Sequence, residues 1–121
     1  MKYLALIYGD ENVWDSFSED ESAAVYAQYG AFGDEGRAAG VVLGEAELAS
    51  THDATTVRVR DGETLVTDGP YAEVKEALGG YYLLECDSME EALEWAAKIP
   101  GAAHGAIEIR PTYFDPAEVQ L

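Results

Sequence analysis

Apolar and polar positions fall into blocks along the chain, and the first blocks predict a strand followed by a helix. Residues 2–8 are almost wholly apolar, which is typical of a central strand. Residues 9–17 form an acidic stretch that predicts a loop. Ser18 and Glu21 have the spacing of a capping box, so a helix is predicted from there to about residue 39. Its apolar side chains recur on one face, at Val25, Tyr29 and Phe32.

The middle of the chain predicts a strand and then a β-hairpin. A strand begins at residues 41–44, and residues 46–53 are predicted to be irregular. Residues 55–60 alternate between polar and apolar side chains with the two-residue period of a strand. Asp61-Gly62 is a strong signal for a two-residue hairpin turn, so the chain is expected to return over residues 64–67.

The last third of the chain predicts a strand, a helix and a final strand. The first of these strands is expected over residues 81–86, and Asp87 or Ser88 is expected to cap the helix. The final strand covers residues 106–110 and is stopped by Pro111. The apolar positions that share one face of the helix are Met89, Ala92, Leu93 and Ala96.

The order of these elements predicts a ferredoxin-like α+β fold. Without the inserted hairpin the order is βαββαβ, which places two helices on one face of an antiparallel sheet. Residues 3–8 and 81–84 carry apolar or aromatic side chains at both parities, so both faces are expected to be buried. A homodimer that packs the second faces together, with a barrel-like interior, would bury them. Residues 1–111 are predicted to form one domain, followed by a tail at residues 112–121.

Composition and charge narrow the classes of function. The 121 residues carry 24 acidic and 7 basic side chains, which gives a net charge of −17. This excess disfavours nucleic acids and anionic membranes as partners, because both bind cationic surfaces. No apolar segment approaches the roughly 18 residues of a membrane-spanning helix, and residues 1–8 lack the pattern of a signal peptide. We therefore expect a cytoplasmic protein that binds neither nucleic acid nor membrane.

Few residues have the pattern of a catalytic or metal-binding motif. Cys86 lies in an apolar run and is expected to be a buried, inert thiol. His52 precedes Asp53 in a loop and is a candidate base, although an exposed loop histidine is the commoner case; His104 is also expected at the surface. These residues give no metal-ligand spacing, and no phosphate-binding glycine loop or nucleophile elbow is present. Neither a metal nor a cofactor is predicted.

The segment between the hairpin and the next strand, DGPYAEVKEALGG (residues 68–80), raises the question of a functional site. Asp68-Gly69-Pro70 predicts a tight turn in which the Asp68 carboxylate accepts backbone N–H groups. A single helical turn is predicted from Glu73 to Leu78. The pair Gly79-Gly80 is predicted to end that turn and, having no side chains, to let another group approach the strand entrance.

Two interpretations of this segment remain open. It is either a well-made connection with solvated charges or a lid that presents Asp68, Glu73 and Lys75 over a cleft. Glu73 and Lys75 are two positions apart, so on a helical turn they would not face each other. Lys75 would then reach Asp68 or an anionic ligand.

The same segment resembles the signature of the DGPF family, a branch of the YCII-related proteins, whose pattern is close to D-G-P-F-A-E-x-K-E-x-L-G-G-[YF]. The matching positions are Asp68, Gly69, Pro70, Ala72, Glu73, Lys75, Glu76, Leu78, Gly79, Gly80 and Tyr81. The sequence departs from the pattern at Tyr71, where phenylalanine is usual. The runs MKYLALIYGDE, RAAGVVLGE, TTVRVRDGETLVTDGP, SMEEALEWAAKIP and IEIRP also resemble the family, so the resemblance covers nearly the whole chain in order.

The resemblance implies a dimeric α+β-barrel with a pocket near the dimer cleft. It implies little about chemistry, because the family is largely without assigned activity, although members often accompany sigma factors of the extracytoplasmic-function type. Related YCII-type proteins are described with a His–Asp pair in the pocket, and neither His52 nor His104 lies on a family signature. Three glycines of the first predicted helix are unusual for the family and leave either a bare ridge or a locally weak helix. They are Gly30, Gly33 and Gly36.

Two classes of function remain open. In the first, the protein is a homodimeric small-molecule-binding or regulatory module whose cleft takes a small anionic ligand. That cleft would be lined by Tyr8, Asp68, Lys75 and Tyr81. In the second, it is a small cofactor-free enzyme in which Asp68 or His52 acts as acid–base and Lys75 stabilises an anionic intermediate. In both, the lid or turn would consist of Gly69, Pro70, Tyr71, Glu73, Gly79 and Gly80. The first class is favoured, because a dedicated nucleophile, a metal site and a cofactor motif are all missing from the sequence.

Overall fold

The computed structural model describes residues 1–113 as a mixed α+β protein. Its strands are β1 (Lys2–Gly9), β2 (Val42–Glu47), β3 (Thr55–Arg60), β4 (Glu63–Asp68), β5 (Ala77–Glu85) and β6 (Ala106–Pro111). Its helices are α1 (Glu11–Asp15), α2 (Glu19–Ala38) and α3 (Met89–Ala96), with 3₁₀ turns at Thr51–Asp53 and Pro100–Ala103. Most of the tail predicted at residues 112–121 lies outside the described residues.

The main sheet has four strands in the order β2-β5-β1-β6. Each neighbouring pair is antiparallel, and this arrangement is compatible with the predicted ferredoxin-like α+β fold. Strands β3 and β4 pair with each other in a separate two-stranded sheet. Every residue of β4 is exposed, so this second sheet stands away from the core.

The two faces of the main sheet differ in burial. On the face that carries the helices, Tyr3 pairs with Leu84 and Ala5 pairs with Tyr82, and all four side chains are buried. On the opposite face, which we call the open face, the central side chains are only half-buried. They are Leu4, Leu6, Tyr8, Tyr81 and Leu83. In the single chain, therefore, one face is buried rather than both.

The helix boundaries follow local capping chemistry. The predicted capping box of α2 is confirmed, because the Ser18 hydroxyl accepts the Glu21 N–H and the Glu21 carboxylate accepts the Ser18 N–H, each at 3.1 Å. Helix α2 ends just before Gly40, whose φ of +73° suits glycine. Ser88 caps α3 by accepting the Glu91 N–H at 3.2 Å.

The predicted helical turn from Glu73 to Leu78 is wrong. Residues 69–76 have no regular secondary structure, and β5 begins at Ala77 instead of residue 81. The reason is tertiary pairing, since the start of β5 pairs with β1 and also with the end of β2. These interstrand hydrogen bonds outweigh a weak local helix preference.

Two other predicted irregular stretches contain regular structure. The predicted loop at residues 9–17 includes the short helix α1, which Asp10 caps by accepting the Asn12 N–H at 2.9 Å. The stretch predicted to be irregular from residue 46 instead continues β2 as far as Glu47, because that residue pairs with Gly80 of β5.

Candidate functional site

A cavity of about 410 Å³ lies between the first two helices and the end of the sheet where β2 and β5 pair. Ile7, Gly80 and Tyr82 line it from the sheet. Val25 and Tyr29 line it from α2, on one side of that helix. We call it the helix-side cavity. Small-molecule sites in proteins usually have about 300–1,000 Å³, so this cavity is large enough for a small metabolite.

Trp14 closes one end of the helix-side cavity. Its indole lies against Gly9 and Gly79, and a Cβ atom at Gly79 would be only 2.6 Å from the ring atom Cη2. At the next position, a Cβ atom on Gly80 would be 2.8 Å from the carbonyl oxygen of Ala46. The glycine pair therefore admits an aromatic ring at one position and the backbone of β2 at the other.

Helix α1, which carries Trp14, is tied to the loop after β2. The Glu11 carboxylate accepts the Ser50 hydroxyl at 2.9 Å and the Thr51 N–H at 3.2 Å. Hydrogen bonds from Thr51 and Ser50 lower the pKa of Glu11, because they stabilise the charged carboxylate. This contact holds the short helix in place beside the cavity.

Two polar pairs stand at the rim of the cavity. The Tyr26 hydroxyl donates to Glu47 Oε1 at 2.8 Å, and this hydrogen bond raises the pKa of Tyr26. Arg37 donates to both Glu45 and Asp34, each at 3.3 Å. Within residues 1–113, Glu47 has no basic side chain within salt-bridge distance, whereas Glu45 is paired with Arg37.

Two tyrosines line the interior of the cavity as neutral phenols. Burial raises the pKa of Tyr82 to about 12, with a further contribution from the charge of Glu45. Burial also raises the pKa of Tyr29. The Tyr82 ring is held by an edge contact with Phe32 at 4.9 Å between centroids. The lining of the cavity interior is thus mostly apolar, and hydroxyl groups supply its polar atoms.

The four predicted ligand-binding residues do not converge on this cavity. Tyr8 is half-buried on the open face, while Asp68 and Lys75 are exposed at and after the end of β4. Tyr81 borders the cavity, although alternation along β5 sends its side chain to the open face. Within residues 1–113, neither the Asp68 carboxylate nor the Lys75 ammonium makes a hydrogen bond or an ion pair.

Two of the six predicted lid residues are exposed, and the other four are half-buried or buried. Gly69 adopts a φ of +105°, and its N–H donates to the Ala54 carbonyl at 2.7 Å. The Thr56 hydroxyl donates to the Gly69 carbonyl at 2.8 Å, so backbone groups and a threonine hold the turn where the Asp68 carboxylate was expected to do so. Tyr71 is 76% exposed. Pro70 is half-buried and Glu73 is exposed, and of the six predicted lid residues only Gly79 and Gly80 border the cavity.

Arg58 of the hairpin lies over the ring of Tyr71, 5.0 Å from its centroid. This cation–π contact is a link between the irregular segment at residues 69–76 and strand β3. Tyr71 lies where the DGPF pattern has phenylalanine, and its additional hydroxyl is on a largely exposed ring.

The remaining candidate residues lie apart from the cavity. His52 and His104 are exposed, at the 3₁₀ turn after β2 and just before β6. The prediction that Cys86 is buried is confirmed, and burial raises the pKa of its thiol. Among the described residues, no three His, Cys, Asp or Glu side chains are placed to hold a metal ion. No helix between residues 1 and 113 has the length and apolar character needed to cross a membrane.

Apart from Gly79, Gly80 and Tyr81, the sequence did not identify the residues that surround the cavity as site residues, although some of them carried a signal. Tyr26 and Tyr29 are three apart on α2, and Glu45 and Glu47 are two apart on β2, so each pair shares a face. What the sequence did not indicate is that these two faces meet. Trp14 carried no such signal, because residues 9–17 were expected to form a loop.

Comparison with known proteins shows the family to which the chain belongs. The family model described as "YCII-related domain" matches residues 1–113. An "Uncharacterized protein" of Rhizobium meliloti (strain 1021) is 38% identical over 122 residues, an alignment that covers 98% of this chain and 98% of the relative. The chain therefore belongs to the YCII-related family.

Proposed function

We propose that the protein is a small-molecule-binding module whose ligand occupies the helix-side cavity. The observation that carries this proposal is the cavity itself, about 410 Å³ of mostly apolar space. A few polar groups stand at defined points around it, which is the composition typical of metabolite sites. The glycines at positions 79 and 80 support the proposal, since they let Trp14 and β2 close around the space. The earlier alternative, an enzyme using Asp68 or His52, gains no support from geometry, because both residues are exposed and do not border the cavity.

A pair of substitutions on α2 tests where the ligand binds. Gly30 borders the cavity, and a Cβ atom there would meet no atom within 4 Å, so Gly30→Leu has room to fill part of the space without a clash. Ala27 is exposed on the same helix and does not border the cavity, so Ala27→Leu is a matched control. A thermal-shift screen of metabolites identifies ligands of the natural protein, and calorimetry measures their affinity for each variant. We expect Gly30→Leu to abolish binding and Ala27→Leu to leave it unchanged; equal binding by both variants would place the ligand elsewhere.

The proposal includes a homodimer formed through the open face, as in the dimeric α+β-barrel of the DGPF branch. A row of apolar side chains crosses the centre of that face and is only half-buried in the single chain. Burying such a row is favourable by about 25 cal/mol per Å² of apolar surface. The regulatory setting that we attach to this module, extracytoplasmic-function sigma-factor signalling, rests on the resemblance to that branch.

The dimer is tested by sedimentation velocity at micromolar concentration. Leu6 lies at the centre of the open face, and Leu6→Glu places a charge in the proposed interface. Leu93 of α3 is 53% exposed on the helix side of the sheet, so Leu93→Glu is the matched control. We expect a dimer for the natural protein and for Leu93→Glu, and a monomer for Leu6→Glu. A natural protein that sediments as a monomer contradicts the dimer while leaving the cavity proposal intact.

A further inference from the structure

We propose that the helix-side cavity selects an organic cation, namely an amine carried on an aromatic or other apolar body, and that Glu47 binds the ammonium group. This inference rests on the proposed function, since it assigns the chemical class of the ligand for the same cavity. It concerns a residue that no sequence motif singled out.

The charges at the rim leave one carboxylate without a counterion. Among the described residues that border the cavity, Arg37 is the basic side chain, and Glu45 and Glu47 are the acidic ones. Arg37 is already engaged by Glu45 and by Asp34, each at 3.3 Å. Glu47 accepts a hydrogen bond from the neutral Tyr26 hydroxyl at 2.8 Å and pairs with no cation within residues 1–113. The bordering groups therefore sum to one negative charge.

Glu47 retains the capacity to bind a ligand after its bond to Tyr26 is made. An ionised carboxylate has two oxygens with about four acceptor positions, and the tyrosine hydroxyl uses one of them. The same hydrogen bond fixes the orientation of the carboxylate at the rim. An ammonium group, which has three donors and no acceptor, matches the positions that remain.

The lining of the cavity suits the rest of such a ligand. Besides Tyr81, whose side chain lies on the open face, five aromatic residues border it, and they are Trp14, Phe17, Tyr26, Tyr29 and Tyr82. Aromatic faces attract cations through their quadrupole and also accept apolar surface. A ligand with an apolar body and a terminal ammonium group would thus place the body among the rings and the charge at Glu47.

The electrostatic potential inside the cavity is negative, like the net charge at its rim. Burial is the largest cause of the raised pKa values of Tyr29 and Tyr82, and the charges of Glu47 and Glu45, respectively, raise them further. The pKa of Tyr26 is raised first by its hydrogen bond to Glu47 and then by the charge of that carboxylate. Each of these phenols thus experiences a field that opposes a negative charge at its oxygen. A field that opposes a phenolate also opposes an anionic ligand and favours a cationic one. This argues against the small anionic ligand expected from Lys75, which is exposed and does not border the cavity.

Three probes with one aromatic body test the inference: tryptamine, which is cationic at pH 7, the neutral alcohol tryptophol, and the anion indole-3-acetate. Calorimetry at low ionic strength measures the affinity of each. Because Glu47 is exposed at the rim, we expect tryptamine to bind up to about fivefold tighter than tryptophol, which is the size of an exposed ion pair, and indole-3-acetate to bind more weakly than tryptophol. Added salt should weaken tryptamine binding and leave tryptophol binding unchanged.

Two variants assign the preference to Glu47. Glu47→Gln removes the charge but keeps an acceptor for the Tyr26 hydroxyl, so tryptamine affinity should fall to the level of tryptophol while tryptophol affinity is kept. Glu63→Gln, on the exposed strand β4, removes an acidic charge that does not border the cavity and should change neither affinity.

The outcomes separate this inference from the proposal on which it rests. If tryptophol or indole-3-acetate binds as tightly as tryptamine, and Gly30→Leu abolishes that binding, the cavity is a ligand site and the preference for a cation is wrong. If Glu47→Gln keeps the full preference for tryptamine, the assignment to Glu47 is wrong. If none of the three probes binds while metabolites found by thermal shift do, the assigned ligand class is wrong and the cavity site stands. If binding survives Gly30→Leu, the proposed cavity site fails and this inference fails with it.

Discussion

The indole ring of Trp14 lies directly against Gly79, so that a Cβ atom at Gly79 would be 2.6 Å from Cη2 of the ring. The contact joins α1 to β5 at a point where the pairing of β5 with β1 shifts its register, from Ile7–Gly80 to Tyr8–Leu78. Gly79 is the extra residue at this irregularity. The extra residue of the bulge is thus also the residue whose lack of a side chain lets an aromatic ring approach closely.

Gly79→Ala is therefore expected to destabilise the protein. The added methyl group forces either the tryptophan or the strand to move, and overpacking of this kind typically costs about 1–3 kcal/mol. Urea unfolding followed by circular dichroism measures the loss. Gly44→Ala is the matched control, because Gly44 lies in the neighbouring strand β2 and a Cβ atom there would meet nothing within 4 Å. Equal stability of the two variants would show that Trp14 and α1 can move away from residue 79 without loss of stability. Trp14 would then not be fixed at the end of the cavity.

Local patterns predicted those parts of the fold that depend on local physics. The capping box at Ser18 and Glu21 was readable because both partners lie within one helical turn. The alternation of residues 55–60 was readable because the faces of a strand repeat every two residues. In both cases the interaction that fixes the structure is contained in the segment itself.

Residues 73–80 could not be predicted in the same way, because their structure is decided by distant strands. Pro70 ahead of them, their charged side chains and two glycines have the local pattern of a helical turn and its end, yet Gly80 pairs with Ile7 on one side and Glu47 on the other. The motif did not point to the cavity for a similar reason. The motif drew attention to Asp68 and Lys75, while the cavity is built where helix and strand faces far apart in sequence meet.

Two glycines of α2, Gly30 and Gly36, are expected to differ in their effect on stability. Gly36 is buried against the side chain of Val42, so the methyl group of Gly36→Ala collides with it. A Cβ atom at Gly30 would meet nothing within 4 Å. Gly30→Ala should therefore stabilise the protein by up to about 1 kcal/mol, because alanine favours a helix over glycine, and Gly36→Ala should destabilise it by about 1–3 kcal/mol. Thermal unfolding of both variants measures these stability changes, which should have opposite signs. A loss of stability in both variants would mean that α2 needs flexibility along its length.

The turn at Asp68 and Gly69 is expected to depend on Thr56 more than on the carboxylate. The Thr56 hydroxyl donates to the Gly69 carbonyl at 2.8 Å, so Thr56→Val removes a hydrogen bond with little change in volume and should cost about 0.5–1.5 kcal/mol. Asp68→Ala should change the free energy of unfolding by no more than about 0.5 kcal/mol, because the side chain is exposed. Urea unfolding compares them. A larger loss of unfolding free energy in Asp68→Ala than in Thr56→Val would show that the Asp68 carboxylate holds the turn, as the sequence predicts.

The buried phenol of Tyr82 is expected to make the protein sensitive to alkali. Its pKa is raised from the ordinary 10.0 to about 12, chiefly by burial and further by the charge of Glu45, so the folded protein holds this proton more tightly than the unfolded chain. The corresponding stability is fully present below pH 10 and is lost as the pH rises through about 12, because the unfolded chain releases the proton first.

Tyr82→Phe keeps the edge contact with Phe32 but has no proton to lose, so its stability should fall less steeply across this range. The difference in slope between the two proteins should be no more than about 1.4 kcal/mol per pH unit. Urea unfolding at pH 8, 10 and 11 measures it, with Tyr71→Phe as the control because that ring is 76% exposed. Parallel pH profiles for Tyr82→Phe and the natural protein would show that the phenol ionises as readily in the folded state as in the unfolded chain, and the interior of the cavity would then be open to water.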